Sequence, residues 1–227
     1  MSCNIDNIVM KLEQMRNPVN IAGMARFGIS TDTALGVPMP VIRKLAKEIK
    51  RDHELALQLW RSGIHEARIL AALIDDPAKV TAGQMEDWVL DFNSWDLCDQ
   101  CCMNLFDKTA DAYDKATEWC YREEEFVKRA GFVIMAAMAV HNKKAEDELF
   151  ISFFPFLLQG ASDERNFARK AVNWALRQIG KRNMRLNGLV LQLSEEILSA
   201  YNSPKSRWIA KDAIRELKDP KILKRIK

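Results

Sequence analysis

Apolar residues recur at intervals of three and four along almost the whole chain, and that spacing commits the chain to amphipathic helices. It predicts helices over Ile5–Met15, Asn20–Phe27, Pro40–Lys50, Glu54–Arg61, His65–Asp75, Ala82–Phe92, Trp95–Lys108, Asp111–Tyr121, Glu124–Val140, Ala145–Leu158, Asp163–Gly180, Leu186–Ala200 and Lys205–Leu217. Short breakers fall between them: Asp76-Pro77, Asn93-Ser94, Gly160-Ala161 and Ser203-Pro204. Thr81 and Ser94 are placed as helix N-caps. With 9 glycines and 7 prolines in 227 residues, the chain lacks the turn chemistry of an all-β fold. The longest irregular stretch, Gly28 to Met39, is read as joining an N-terminal helical arm to the main stack. One domain is expected over residues 1–227, with the arm and linker in 1–39 and the stack in 40–227.

A longer period overlies the short one. Arg129, Lys170 and Lys211 follow one another at 41-residue intervals, and each opens a similar amphipathic stretch. A repeat of that length with two or three helices per unit fits an all-α, HEAT-like helical solenoid. One such unit cannot bury its apolar face alone, so neighbours stack and curve around a concave surface. One basic residue per repeat would then form a track suited to a phosphodiester backbone. Pairing of each basic residue with a nearby carboxylate is the equal alternative.

Charge sharpens the question of a partner. The net charge is only +3, yet residues 161–227 hold 16 Lys+Arg against 7 Asp+Glu, a net of +9 that leaves −6 on the first 160. A basic C-terminal third on an acidic body suits an oriented anionic partner, or else solvated helix faces. No run of about 18 apolar residues offers a membrane span. Charges scattered through the first 20 residues are unlike a signal peptide. The five cysteines, three clustered as Cys98, Cys101 and Cys102, read as free thiols in a reducing cytoplasm. One CxxC without a second CxxC or a His pair completes no metal site, and neither GxGxxG nor a P-loop supports a nucleotide cofactor.

The most informative local stretch is Asn93-Ser-Trp-Asp-Leu-Cys-Asp-Gln100. A helix beginning there sets Trp95 and Asp99 one turn apart on one face. An indole beside a carboxylate can hold a flat cationic group while the acid faces developing positive charge. Otherwise Trp95 is core and Asp99 a surface or capping acid. Trp174 lies mid-helix, flanked by Asn173 and Arg177, so it borders a polar face or fills the core. Arg129 has Glu125 as its local alternative partner, four residues back. His65, before Glu66 and Arg68, is read as supporting a helix junction.

Together, Met24-Ala-Arg-Phe-Gly, Leu35-Gly-Val-Pro-Met-Pro-Val-Ile-Arg-Lys-Leu45, Ser94-Trp-Asp-Leu-Cys-Asp99, Lys128-Arg-Ala130 and Lys170-Ala-Val-Asn-Trp-Ala-Leu-Arg177, in this order and with the 41-residue spacing, resemble the AlkD-type DNA glycosylases, the HEAT-like-repeat alkylation repair family. The resemblance covers nearly the whole length. It implies excision of 3-methyl and 7-methyl purines from duplex DNA, without metal or nucleotide cofactor. It implies Asp99 as catalytic acid, Trp95 and Trp174 as cleft indoles, Arg129 as cleft arginine and Arg177 facing the DNA backbone. Lys170, Lys211 and Phe27 join the expected DNA contacts, and a cytoplasmic monomer is expected. Two positions depart from the family pattern. Phe27 stands where well-known members have Tyr, and Ala136, Ala137 and Met138 occupy a stretch where a backbone-binding Lys is usual. Both bear on substrate range and DNA affinity. A non-catalytic binder of bent or branched DNA and a protein-binding scaffold are the rival readings.

Overall fold

The computed structural model describes residues 4–226. All regular structure among these residues is helical, and the chain divides into two compact units between Asp111 and Ala112.

The first unit comprises α1 (Ile5–Gln14), α2 (Pro18–Arg26), α3 (Met39–Ile49), α4 (His53–Arg61), α5 (His65–Ile74), α6 (Ala82–Leu90) and α7 (Trp95–Asn104). Asn4, Asn17, Asp52 and Thr81 each accept backbone N–H groups in the first turn of the helix they precede, so donors without a helical partner are satisfied. Ser94 departs from the expectation. It holds the N-cap position of α7, but its hydroxyl donates to Asn93 Oδ1 at 3.3 Å instead of capping the turn. The helix also stops short of Lys108. Leu105 leaves helical geometry, Asn104 Nδ2 closes on the Gln100 carbonyl at 2.7 Å, and a 3-10 turn follows over Phe106–Lys108.

Helix α5 is the axis of this unit. Only Arg68 and Leu73 along it escape burial, and α3, α4 and α7 pack around it. Trp60 of α4 stacks on Trp88 of α6 with ring centroids 3.8 Å apart. By contrast α2 buries no residue. It is tied by polar contacts: Asn17 N–H donates to the Leu35 carbonyl and Asn20 Nδ2 to the Gly36 carbonyl, each at 2.8 Å. Gly36 has φ +75°, and a Cβ there would run into the Asn17 carbonyl.

The second unit comprises α8 (Ala112–Trp119), α9 (Glu125–His141), α10 (Asp147–Ile151), α11 (Phe154–Gly160), α12 (Asn166–Gly180), α13 (Met184–Ala200), α14 (Pro204–Leu217) and α15 (Pro220–Leu223). The single helix expected over Ala145–Leu158 is two. Pro155 falls in the first turn of α11, where its missing N–H costs nothing, and the chain breaks at Ser152-Phe153 before it. From Val127 to Ala139 every residue of α9 except Lys128 is buried. Gly131 allows α8 to approach, since a Cβ would lie 2.8 Å from the Ala116 carbonyl. The other side of α9 packs on α12, which packs in turn on α13 and α14. The 41-residue spacing therefore relates α9, α12 and α14, which neighbour one another in sequence order. The C-terminal end of α9 is closed by Arg182, whose guanidinium donates to the carbonyls of Ala139, Asn142 and Ala145 and lies 3.9 Å from the Phe150 ring centroid.

Candidate nucleic-acid interface

In the first unit, the start of α7 gathers the chemistry. The Trp95 indole N–H donates to the Phe27 carbonyl at 3.0 Å. This contact spans 68 residues and fixes the plane of a half-buried ring. Phe27 offers its carbonyl here, and the residue as a whole is 73% exposed. Next to the indole, Asp96 Oδ2 lies 2.8 Å from His65 Nε2. Burial raises the Asp96 pKa, but the His65 hydrogen bond and charge, with smaller help from Ser94, outweigh it and leave the carboxyl below its ordinary value. One turn beyond Trp95, Asp99 is partly solvent-exposed and not sealed in the core.

Beside these residues lies a cavity of about 460 Å³. Val19, Gly23 and Met24 of α2 form one wall, and Trp95, Asp96 and Gln100 of α7 face it. Asp99 is outside this lining, so the sequence's paired face of Trp95 and Asp99 borders the cavity through the indole alone.

Glu66 is the residue that sequence reasoning missed. It is buried, and its carboxylate accepts the N–H groups of Leu35, Gly36 and Val37 at 2.8, 2.6 and 3.2 Å. Three charge-assisted bonds hold the segment that connects α2 to α3. The available signal was an acid beside His65, followed by an apolar run. His65 does support a junction, as read, through its backbone N–H to the Thr33 carbonyl and its ring to Asp96.

In the second unit, Arg129 is 5% exposed and donates through Nη1 to the Phe167 carbonyl at 2.7 Å. Glu125 accepts the Phe167 N–H at 2.9 Å. The local partner offered by spacing thus joins Arg129 in gripping one residue, by its N–H and its carbonyl. The grip orients the start of α12. Beyond it, Lys170 is exposed and Trp174 half-buried. Asn173 is buried and donates to the Ile209 carbonyl at 2.9 Å, bridging to α14. Arg177 and Lys181 converge on Glu216 at 2.5 and 2.7 Å. Burial raises the Glu216 pKa, yet the Lys181 and Arg177 contacts bring it below the usual carboxylate value. Of the basic residues spaced by 41, Arg129 is sunk while Lys170 and Lys211 reach solvent. The stretch Ala136 to Met138, where a lysine was missed, is buried in α9.

Cys98, Cys101, Cys102 and Cys120 are buried thiols not joined in disulfides, and burial pushes Cys101 and Cys102 well above the ordinary thiol pKa. Such thiols are poor nucleophiles. Among the described residues no group of His, Cys, Asp or Glu could hold a metal ion, and no helix is long and apolar enough to cross a membrane.

Repeating helices locked to one another through buried polar contacts define a HEAT-like repeat protein. A solved structure supports the same fold: it is described as a new family of proteins related to the HEAT-like repeat DNA glycosylases with affinity for branched DNA structures. It matches with TM-score 0.75 at 17% identity, over 85% of this chain and 83% of its own. The chain belongs to the DNA alkylation repair enzyme family, whose model matches residues 8–221. It is also similar to the uncharacterized protein Lin0241 of Listeria innocua, 25% identical over 167 residues, covering 72% of this chain and 74% of that one.

Proposed function

We propose that this chain is a monofunctional DNA N-glycosylase that releases N3- and N7-alkylated purines from duplex DNA in base excision repair. The observation that carries the reading is the start of α7, where a half-buried indole is tethered by its N–H one turn before a partly exposed carboxylate. An alkylated purine is cationic. Breaking its bond to C1′ sends the bonding electron pair to the base, which departs neutral, and leaves positive charge on the sugar. Asp99 stabilises that charge and orients the water that adds at C1′, and the water's proton passes to the carboxylate or to solvent. The Trp95 face holds the cationic nucleotide. In the second unit Lys170 and Lys211 contact phosphates, Trp174 offers an indole of its own, and Arg129 sets the start of the helix that carries Lys170 and Trp174. The Arg177 pair with Glu216 favours a supporting part for Arg177 over a direct phosphate contact.

The test is release of free 7-methylguanine from methylated duplex DNA. Asp99→Asn is expected to cut release at least 100-fold, the scale on which removing one electrostatic catalyst acts, while DNA binding persists. Unchanged release removes Asp99 from the role. A second reading, a non-catalytic protein that recognises DNA shape, is favoured by the structural neighbour's described affinity for branched DNA. It requires DNA binding by the wild-type chain with no free base at any enzyme concentration.

A further inference from the structure

The 41-residue repeat has a consequence on α14. Advancing Phe167, Lys170, Trp174 and Arg177 of α12 by 41 gives Trp208, Lys211, Arg215 and Lys218. These lie at i, i+3, i+7 and i+10, three on one face of α14 and Lys218 at its C-cap, over about 15 Å. All four are exposed. Trp208 is 38% accessible, unusual for an indole, and the Arg215 side chain is 80% accessible. In the preceding step of the repeat the equivalent aromatics cover each other, with the Phe126 and Phe167 ring centroids 5.3 Å apart. Trp208 instead carries the Arg169 guanidinium 5.3 Å from its centroid.

The acids of α14 do not neutralise this face evenly. Glu216 is taken by Arg177 of α12 and by Lys181 just after that helix, and Asp212 lies 4.0 Å from Arg177 while also pairing with Arg215. Glu164 is held by Lys205 and Ser203. What faces solvent is an indole flanked by cations. Intact duplex away from a lesion calls for cations alone, because its bases are already stacked. An aromatic platform set among cations matches a strand whose bases are free to stack and whose phosphates need counter-charge.

We propose that this face of α14 binds single-stranded DNA, with an unpaired base stacked on Trp208 and phosphates held by Lys211, Arg215 and Lys218. It would hold the open arm of a forked or damaged duplex. The inference shares with the proposed function the premise that the chain binds DNA and Lys211 as a phosphate contact, and it stands or falls without base release.

Fluorescence anisotropy compares three probes: a labelled oligothymidine, a duplex with one single-stranded arm, and the same duplex with blunt ends. The wild-type chain is expected to bind the armed duplex more tightly than the blunt one. Trp208→Ala should weaken the oligothymidine and the armed duplex about five- to tenfold, the lower range for losing one stacked base, and Trp208→Phe should restore most of it. Blunt-duplex affinity and 7-methylguanine release should stay within about twofold. Lys211→Ala with Lys218→Ala should flatten the salt dependence of oligothymidine binding by somewhat under one unit of slope per lysine. Equal losses on blunt and armed duplexes would assign the face to duplex contact and overturn the proposal. So would a Trp208→Ala variant, folded by circular dichroism, that binds oligothymidine like the wild type. Preference for neither probe over blunt duplex also overturns it, even where base release is intact.

Discussion

Glu66 shows how far one buried side chain can reach. Three backbone N–H groups converge on its carboxylate. An amide at the same place keeps one acceptor oxygen but turns an NH₂ toward donors. Glu66→Gln is therefore expected to lower stability by about 1–3 kcal/mol, the cost of stranding a buried polar group. Thermal unfolding measures the loss, and amide exchange at Leu35, Gly36 and Val37 should accelerate most. Asp96 gives a pH dependence. Its pKa is lowered in the fold, so its stabilising contribution is complete above the unfolded value near 3.8 and is lost as pH falls through the lower folded value. Asp96→Asn should flatten acid unfolding in that range while lowering stability at neutral pH, a difference that denaturant titrations at several pH values resolve. Neither role could be read from the sequence. Glu66 finds its donor partners about 30 residues upstream in the backbone, and backbone partners leave no mark in residue type.

At the scale of elements, the sequence revealed periods and starts better than joins. Helices α6 and α7 begin where Thr81 and Ser94 announced them, because the polar residue and the onset of apolar spacing coincide. The tethered indole of α7 was legible as a candidate, and so was the exposure of Lys170 and Lys211. The burial of Arg129 was not. A charged residue in a helical pattern reads as solvent-facing until its acceptor, the Phe167 carbonyl 38 residues away, is placed beside it. Packing of α8 on α9 depends on the missing side chain at Gly131. Gly131→Ala puts a methyl against the Ala116 carbonyl and should destabilise the chain by about 1–3 kcal/mol through forced separation, despite alanine's better helix propensity. A rise in melting temperature for that variant would show that α8 yields without cost.

For the whole molecule, the uneven distribution of charge matters more than its sum. The last 67 residues carry +9 and the rest −6, so any polyanion meets opposed fields on one chain. On the proposed reading, log affinity for DNA falls linearly with log salt. Lys170→Ala and Lys211→Ala together should reduce the slope by about 2 without changing sequence preference. A salt-independent affinity would favour the scaffold reading. The tether on Trp95 has a different consequence, for evolution. The indole is held by the main-chain oxygen of position 27, and the benzyl group there hangs in solvent. A different ring at that position leaves the bond that orients the neighbouring indole in place, and on the proposed reading such an exchange would retune which lesions are accepted.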